Sequence, residues 1–241
     1  MIAIAIIKKG GNMQLIETRL ELDCRTTPFG EVMRLANSFG RRDKKPDNKR
    51  LAILWLALTG ARPCEIENRK VREIILNKYW VWHPRKKQSG MRKELLPDWF
   101  WKEFNMYLEY GKYSNDDIFG LKGDSLASYI NHHVRDKLRG RWLVKRPEFM
   151  QDGRYRLVYV YKLKSLRHNF ASTLWYNLRH QYGDEVSISM VASRMRHSDS
   201  RITARHYIES IEALNLNKYG HKNMGDILKL SENRNLLEFV V

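Results

Sequence analysis

The sequence predicts an α+β fold, mainly helical, with one small antiparallel three-stranded sheet set between helices. Two observations predict it. Apolar residues recur at helical spacing through most segments between 27 and 208, whereas short β-type runs cluster around 74–96 and 142–161. There is no internal repeat, low-complexity tract, Walker loop, dinucleotide fingerprint or His-rich metal motif. The 241 residues are enough for one substantial core with a small appendage.

The elements follow in order. Residues 1–26 join the apolar run Met1–Ile7 to the alternating stretch Leu15–Leu22 and read as an arm, loose or forming an edge strand. From Thr27 a helix places Phe29, Val32, Met33, Leu35 and Ala36 on one side, until the basic stretch Arg41–Arg50 breaks it. A strongly apolar helix over about 49–58 then ends at Gly60, so Arg62 emerges from a buried element. Ile74–Leu76, Tyr79–His83 and Arg92–Leu96 form the sheet, with Ser89 and Gly90 at a turn. Pro97 and Asp98 start an aromatic helix reaching Tyr110, whose rings read as core. Asp124 is a candidate cap for a helix carrying Leu126, Ile130, Val134 and Leu138 on one stripe and ending at Gly140. His132 and His133 within it receive no ligand role. Two short strands, Trp142–Val144 and Tyr155–Tyr161, flank a basic loop. Helices over about 165–180, 186–195 and 202–208 complete the pattern, with Ser198 and Ser200 as cap candidates for the last.

Lys and Arg number 44 against 27 Asp and Glu, a formal charge of +17. Such an excess predicts a polyanionic partner, and nucleic acid leads over membrane. The apolar start is too short to span a bilayer and is followed by Lys8 and Lys9 without a cleavage pattern. A cytoplasmic, DNA-associated protein with no membrane segment is expected. Cys24 and Cys64 have no metal-ligand spacing and read as reduced thiols.

The candidate chemistry lies in TGARPCE at 59–65, KSLRH at 164–168, RMRHSDS at 194–200 and Tyr207. Attack of a tyrosine on a phosphodiester needs the nonbridging oxygens neutralised and the leaving oxygen protonated. Arginine meets the first need as a planar, permanently charged fork, and Arg62 and Arg167 fit. A hairpin lysine, Lys86 or Lys87, meets the second as a compact proton donor. His197 adds a donor or proton shuttle, and Tyr207 is the nucleophile. Taken singly, each residue has an ordinary structural use: Arg62 in a helix-end ion pair, Tyr207 as one of 12 tyrosines. Their order and spacing argue for one joint site.

This set resembles the tyrosine recombinase and integrase family, whose catalytic fold is shared with type IB topoisomerases. The likeness covers roughly 28–210 and is most specific in TGARPCE and from LKSLRHNFAS through ARHY. It implies that Arg62 is the first catalytic arginine with Glu65 as its support, Lys87 the hairpin lysine with Lys86 as alternate, Arg167 the second arginine, His168 a supporting histidine, His197 the late histidine and Tyr207 the nucleophile. It further implies a catalytic domain over 27–210, a docking tail over 211–241, tetrameric action on DNA, and a 3′-phosphotyrosyl intermediate that needs no metal or nucleotide cofactor.

Three features depart from the family pattern. Lys164 stands where a histidine usually precedes the second arginine by three residues, as in type IB topoisomerases and some archaeal viral integrases. Arg196 replaces a small helix-ending residue before His197, and Tyr207 lies ten residues after that histidine, one more than is usual. Two helices also take up most of the chain before Arg62, so the sequence corresponds either to a minimal recombinase or to part of a longer one. An integrase of a mobile element is the leading expectation. In it Lys164 joins Arg62, Arg167 and His197 in stabilising the phosphate; a type IB topoisomerase, for which Lys164 is the best argument, and a DNA-binding relative without turnover are its rivals.

The basic surface makes a direct prediction. If about six phosphates are neutralised, DNA affinity falls by roughly a thousandfold between about 50 and 200 mM salt. Titration by fluorescence anisotropy at several salt concentrations checks it, and a flat response excludes the polyanion reading.

Overall fold

A computed structural model describes residues 2–9, 12–19, 29–40, 47–84, 90–110, 113–134, 144–149, 155–197, 200 and 203. The fold is mainly helical around a three-stranded antiparallel sheet. Its elements are β1 (Ile2–Lys9), β2 (Asn12–Arg19), α1 (Phe29–Asn37), α2 (Asn48–Thr59), β3 (Ile74–Ile75), β4 (Tyr79–Trp82), β5 (Arg92–Leu95), α3 (Asp98–Tyr110), α4 (Gly123–Tyr129), β6 (Val144–Phe149), β7 (Tyr155–Val160), α5 (Lys164–Tyr182) and α6 (Asp184–Met195). Where a loose arm or edge strand is expected, β1 and β2 pair as an antiparallel hairpin with Lys9 opposite Asn12. Their alternating apolar residues suit a strand, and a local partner satisfies the backbone on one edge.

Helix α2 is the axis of the core. Every residue from Arg50 to Thr59 is buried, which a helix with apolar side chains on all faces requires. Trp55 on α2 meets Trp80 and Trp82 of β4 at centroid distances of 5.5 and 5.1 Å, and Phe119 at 5.8 Å. Phe100, Trp101 and Phe104 of α3 close around Trp80. The aromatic helix is therefore core, as its periodicity predicts. A second apolar cluster, Ala171, Trp175, Val191 and Met195, joins α5 to α6.

Three expectations are corrected. Arg50 does not belong to a solvated basic loop, because Asp47 accepts the Lys49 amide at 2.7 Å and caps α2, which begins at Asn48. The Arg50 guanidinium is fully buried: it pairs with both oxygens of Glu103 on α3 and donates to Asn37 Oδ1 at 2.6 Å and to the Gly40 carbonyl at 3.2 Å. Asp124 lies in the first turn of α4, and Lys122 holds the cap position. The chain then widens into a π-turn over Ile130–Val134, where Asn131 Oδ1 accepts from the Tyr161 amide at 2.7 Å and its Nδ2 donates to the Tyr161 carbonyl at 3.0 Å. The predicted end of that helix at Leu138 and Gly140 lies outside the described residues. In the 142–161 segment, β6 runs from Val144 to Phe149 rather than ending at Val144, and it pairs with β7 throughout.

Removing one member of a buried ion pair strands the other charge at a cost of about 3–5 kcal/mol. Glu103→Ala is expected to lose that much, read as a shift of the urea midpoint, whereas Lys70→Ala, whose partner Asp116 is exposed, stays within about 0.5 kcal/mol.

Candidate active site

The site begins where α2 stops. Thr59 folds its hydroxyl back onto the Trp55 carbonyl at 2.7 Å, and the same oxygen accepts the Ala61 amide at 3.2 Å. Gly60 then turns left-handed, at φ 60° and ψ 22°, and its amide returns to the Leu56 carbonyl. A helix ending this way exposes carbonyls with no helical partner, at the negative end of the helix dipole. Two buried guanidiniums meet them. Arg92 of β5 donates through Nη2 to the Thr59 carbonyl, and Arg167 of α5 donates through Nη1 to the Gly60 carbonyl at 2.6 Å.

Arg62 leaves this junction in extended conformation and opens a short 3-10 turn, Pro63–Ile66, in which proline occupies the first position. Its Nη1 lies 3.4 Å from Glu65 Oε1, and its side chain is 33% exposed. Glu65 is buried, and its other oxygen accepts from Trp82 Nε1 at 3.3 Å. The expected support role of Glu65 thus has a physical form: a carboxylate held by the sheet steadies a guanidinium that still faces solvent. Helix α4 seats against the same turn, since a Cβ on Gly123 would fall 2.5 Å from the Pro63 carbonyl oxygen.

Arg167 also donates through Nη2 to the Met195 carbonyl, and that nitrogen lies 3.5 Å from His197 Nε2. On the opposite edge of the ring, His197 Nδ1 is 2.8 Å from Thr203 Oγ1. A guanidinium can only donate, so a hydrogen bond across this contact requires the lone pair on Nε2, with the Nδ1–H then donating to Thr203 Oγ1. His168 is buried on α5, one residue after Arg167. Lys164 is exposed at the first position of the same helix.

Arg167 thus lies beside His197 and holds the carbonyl of Gly60, two residues before Arg62, whose guanidinium meets Glu65. Arg167 differs from the expectation in one respect: both terminal nitrogens are engaged by backbone carbonyls, so it anchors the site's frame as well as contributing charge. Lys86, Lys87 and Tyr207 lie outside the described residues. Sequence reasoning missed Thr203, Arg92, Glu94 and Arg194. Glu94 receives Arg92 and Arg194, each at 2.7 Å, and so links β5 to α6. On the inner face of the sheet Arg92 stands opposite Trp82, with its guanidinium 4.8 Å from that ring. Burial and the neighbouring Arg92 guanidinium hold the pKa of Arg196 below the usual arginine value, with Glu65 and Glu94 opposing. Among the described residues no group of three His, Cys, Asp or Glu side chains is placed to hold a metal ion, and no helix is long and apolar enough to cross a membrane.

No family model and no curated protein matches the sequence. Solved structures do match in fold. The XerA recombinase superposes with a TM-score of 0.54 at 16% identity, covering 83% of this chain and 66% of that one. The XerH site-specific recombinase bound to difH substrate, in a pre-cleavage complex, gives 0.49 at 18% identity, covering 83% and 55%. The Tn1549 transposon integrase, residues 82–397 with circular intermediate DNA, gives 0.48 at 16%, covering 84% and 69%. The chain has the fold of tyrosine recombinase catalytic domains. It spans slightly less than two thirds of the XerA chain.

The Gly60 junction can be tested by one methyl group. A Cβ there would lie 2.4 Å from Phe170 Cδ1 and would be held at positive φ. Gly60→Ala is expected to lose about 1–3 kcal/mol in chemical denaturation. Gly30→Ala, where a Cβ meets nothing within 4 Å, is expected to be neutral or stabilising by up to about 1 kcal/mol.

Proposed function

We propose that this chain is the catalytic part of a site-specific DNA recombinase of the integrase type, acting through a covalent 3′-phosphotyrosyl intermediate at Tyr207. One observation supports the reading: Arg167, beside His197, binds the Gly60 carbonyl two residues before Arg62, in a fold of this kind. Guanidinium and imidazole donors grouped in this way suit a pentavalent phosphorane-like transition state, whose equatorial oxygens gain negative charge. Preorganisation is supplied by the carbonyls of Gly60 and Met195, which hold Arg167 before any substrate arrives.

In the proposed reaction the Tyr207 phenol oxygen forms a bond to the scissile phosphorus as the bond to the 5′ oxygen breaks. The phenol gives up one proton, for which the acceptor in this reading is Nε2 of His197, 3.5 Å from Arg167 Nη2. The departing 5′ oxygen gains one proton, from Lys87 or alternatively Lys86, and leaves as a hydroxyl. Attack by a 5′ hydroxyl on the phosphotyrosyl bond reverses both transfers and rejoins the strand. Arg62, a third exposed, can turn from its 3.4 Å contact with Glu65 to the phosphate while Glu65 keeps the hydrogen bond from Trp82 Nε1. Double-stranded DNA is the substrate, a tetramer the working assembly, and residues 211–241 the tail that docks within or between subunits.

The exposed Lys164 at the start of α5 favours a second reading, a type IB topoisomerase that rejoins the same strand. Relaxation of supercoiled plasmid without site preference would select it, and strand transfer between two defined sites would select the recombinase.

The decisive test is incubation with a nicked suicide duplex. The native protein is expected to give a denaturation-resistant protein–DNA adduct and Tyr207→Phe none. An adduct that survives Tyr207→Phe rules the assignment out.

A further inference from the structure

Helix α6 ends in a way that its sequence does not make easy. Arg196 adopts φ 53° and ψ 51°, the left-handed conformation in which helices most often place glycine. A side chain there is strained relative to glycine. The guanidinium, in addition, sits near that of Arg92, a repulsive neighbour. Two unfavourable choices at one residue call for a compensating contact, and the structure contains one. Arg196 Nη2 donates to the carbonyl of Met91, at the root of the hairpin that joins β4 to β5. Its Nη1 lies 3.8 Å from the position a Cβ would take on Gly90.

The same helix reaches the same strand a second time, through Arg194 to Glu94 at 2.7 Å. Glu94 in turn holds Arg92, which holds the Thr59 carbonyl at the end of α2. The residue after Arg196 is His197, whose amide returns to the Ala192 carbonyl at 2.9 Å. Histidine and hairpin root are thus joined through one side chain and one peptide unit.

We propose that Arg196 is a positioning residue that locks the root of the β4–β5 hairpin, at Gly90–Arg92, to the backbone immediately before His197. The hairpin and the histidine then keep a fixed relation on either side of the scissile phosphate. A glycine would end the helix with less strain but would leave that relation to the hairpin's own short strands, four residues each. The inference rests on the recombinase reading, in which the hairpin supplies the proton for the leaving oxygen. A rival use of the same side chain is direct contact with a DNA phosphate, and it makes different predictions.

The test compares native full-length protein with Arg196→Gly and Arg196→Lys in three measurements. Amide hydrogen exchange at residues 90–92 is expected to quicken about tenfold in Arg196→Gly, with α2 unaffected and Arg196→Lys close to native. Single-turnover adduct formation on the nicked suicide duplex is expected to fall about tenfold or more in Arg196→Gly, while DNA affinity and its salt slope stay within about twofold. A duplex whose leaving 5′ oxygen is replaced by sulfur needs no proton at that atom, and on it the Arg196→Gly rate is expected to return to within about threefold of native. Unchanged exchange at the root overturns the proposal. So does an equal rate loss on the oxygen and sulfur duplexes. A weaker affinity with a salt slope reduced by about one identifies a phosphate contact and overturns it as well. Should the native protein form no adduct on either duplex, the recombinase reading falls, and the exchange result alone decides whether Arg196 anchors the hairpin.

Discussion

Everything at the candidate site depends on how α2 ends. The helix is buried along its length, so water is poorly placed to satisfy the carbonyls that its last turn leaves open, and a buried unpaired carbonyl costs about 1–3 kcal/mol. Gly60 turns the chain sharply, and Arg92 and Arg167 take the Thr59 and Gly60 carbonyls from two sides. One arginine comes from the sheet and the other from α5. The end of α2 is therefore the point at which both halves of the structure are registered, and Arg62 lies two residues beyond it.

The arginines divide by the partners they find. Arg50, Arg92 and Arg167 are buried and bound to carboxylates or carbonyls of the protein, because a charge removed from water must be paired or be lost. Arg62 is partly exposed and, among the described residues, meets Glu65 at 3.4 Å. That difference in solvation separates a structural guanidinium from one able to exchange partners. The formal charge of +17 counts both kinds alike. Some of it is spent inside the molecule, where Glu94 and Glu103 neutralise it, and the remainder is what a polyanion would meet.

Much of the architecture was legible in short-range patterns. Gly60 after a long apolar run marks a helix end, and the rings from Trp99 to Tyr107 fall on a buried stripe. The grouping of Arg62, Arg167 and His197 was legible from residue order and family likeness. Failures of the sequence reading share one cause. Arg50 looks solvated because its neighbours Arg41 to Lys49 are charged, yet its carboxylate lies 53 residues away on α3. Arg92 and Glu94 occupy the inward positions of a strand, so the usual apolar alternation is reversed and gives no signal. Thr203 carries no mark in the sequence until its hydroxyl is seen beside His197.

By itself the sequence determined what is set within a few residues: the helices and their ends, the apolar stripes, the cationic excess, and the types and order of the groups suited to phosphate chemistry. These follow from backbone preference and from contacts between residues three or four apart, which a string of letters records. Only the tertiary structure decided which guanidiniums are internal, which groups flank the two ring nitrogens of His197, and which carbonyl the Arg196 side chain reaches. Those outcomes depend on partners such as the Gly60 carbonyl, 107 residues from Arg167, and the Met91 carbonyl, 105 residues from Arg196. Desolvation makes such partners obligatory, and folding alone brings them within reach.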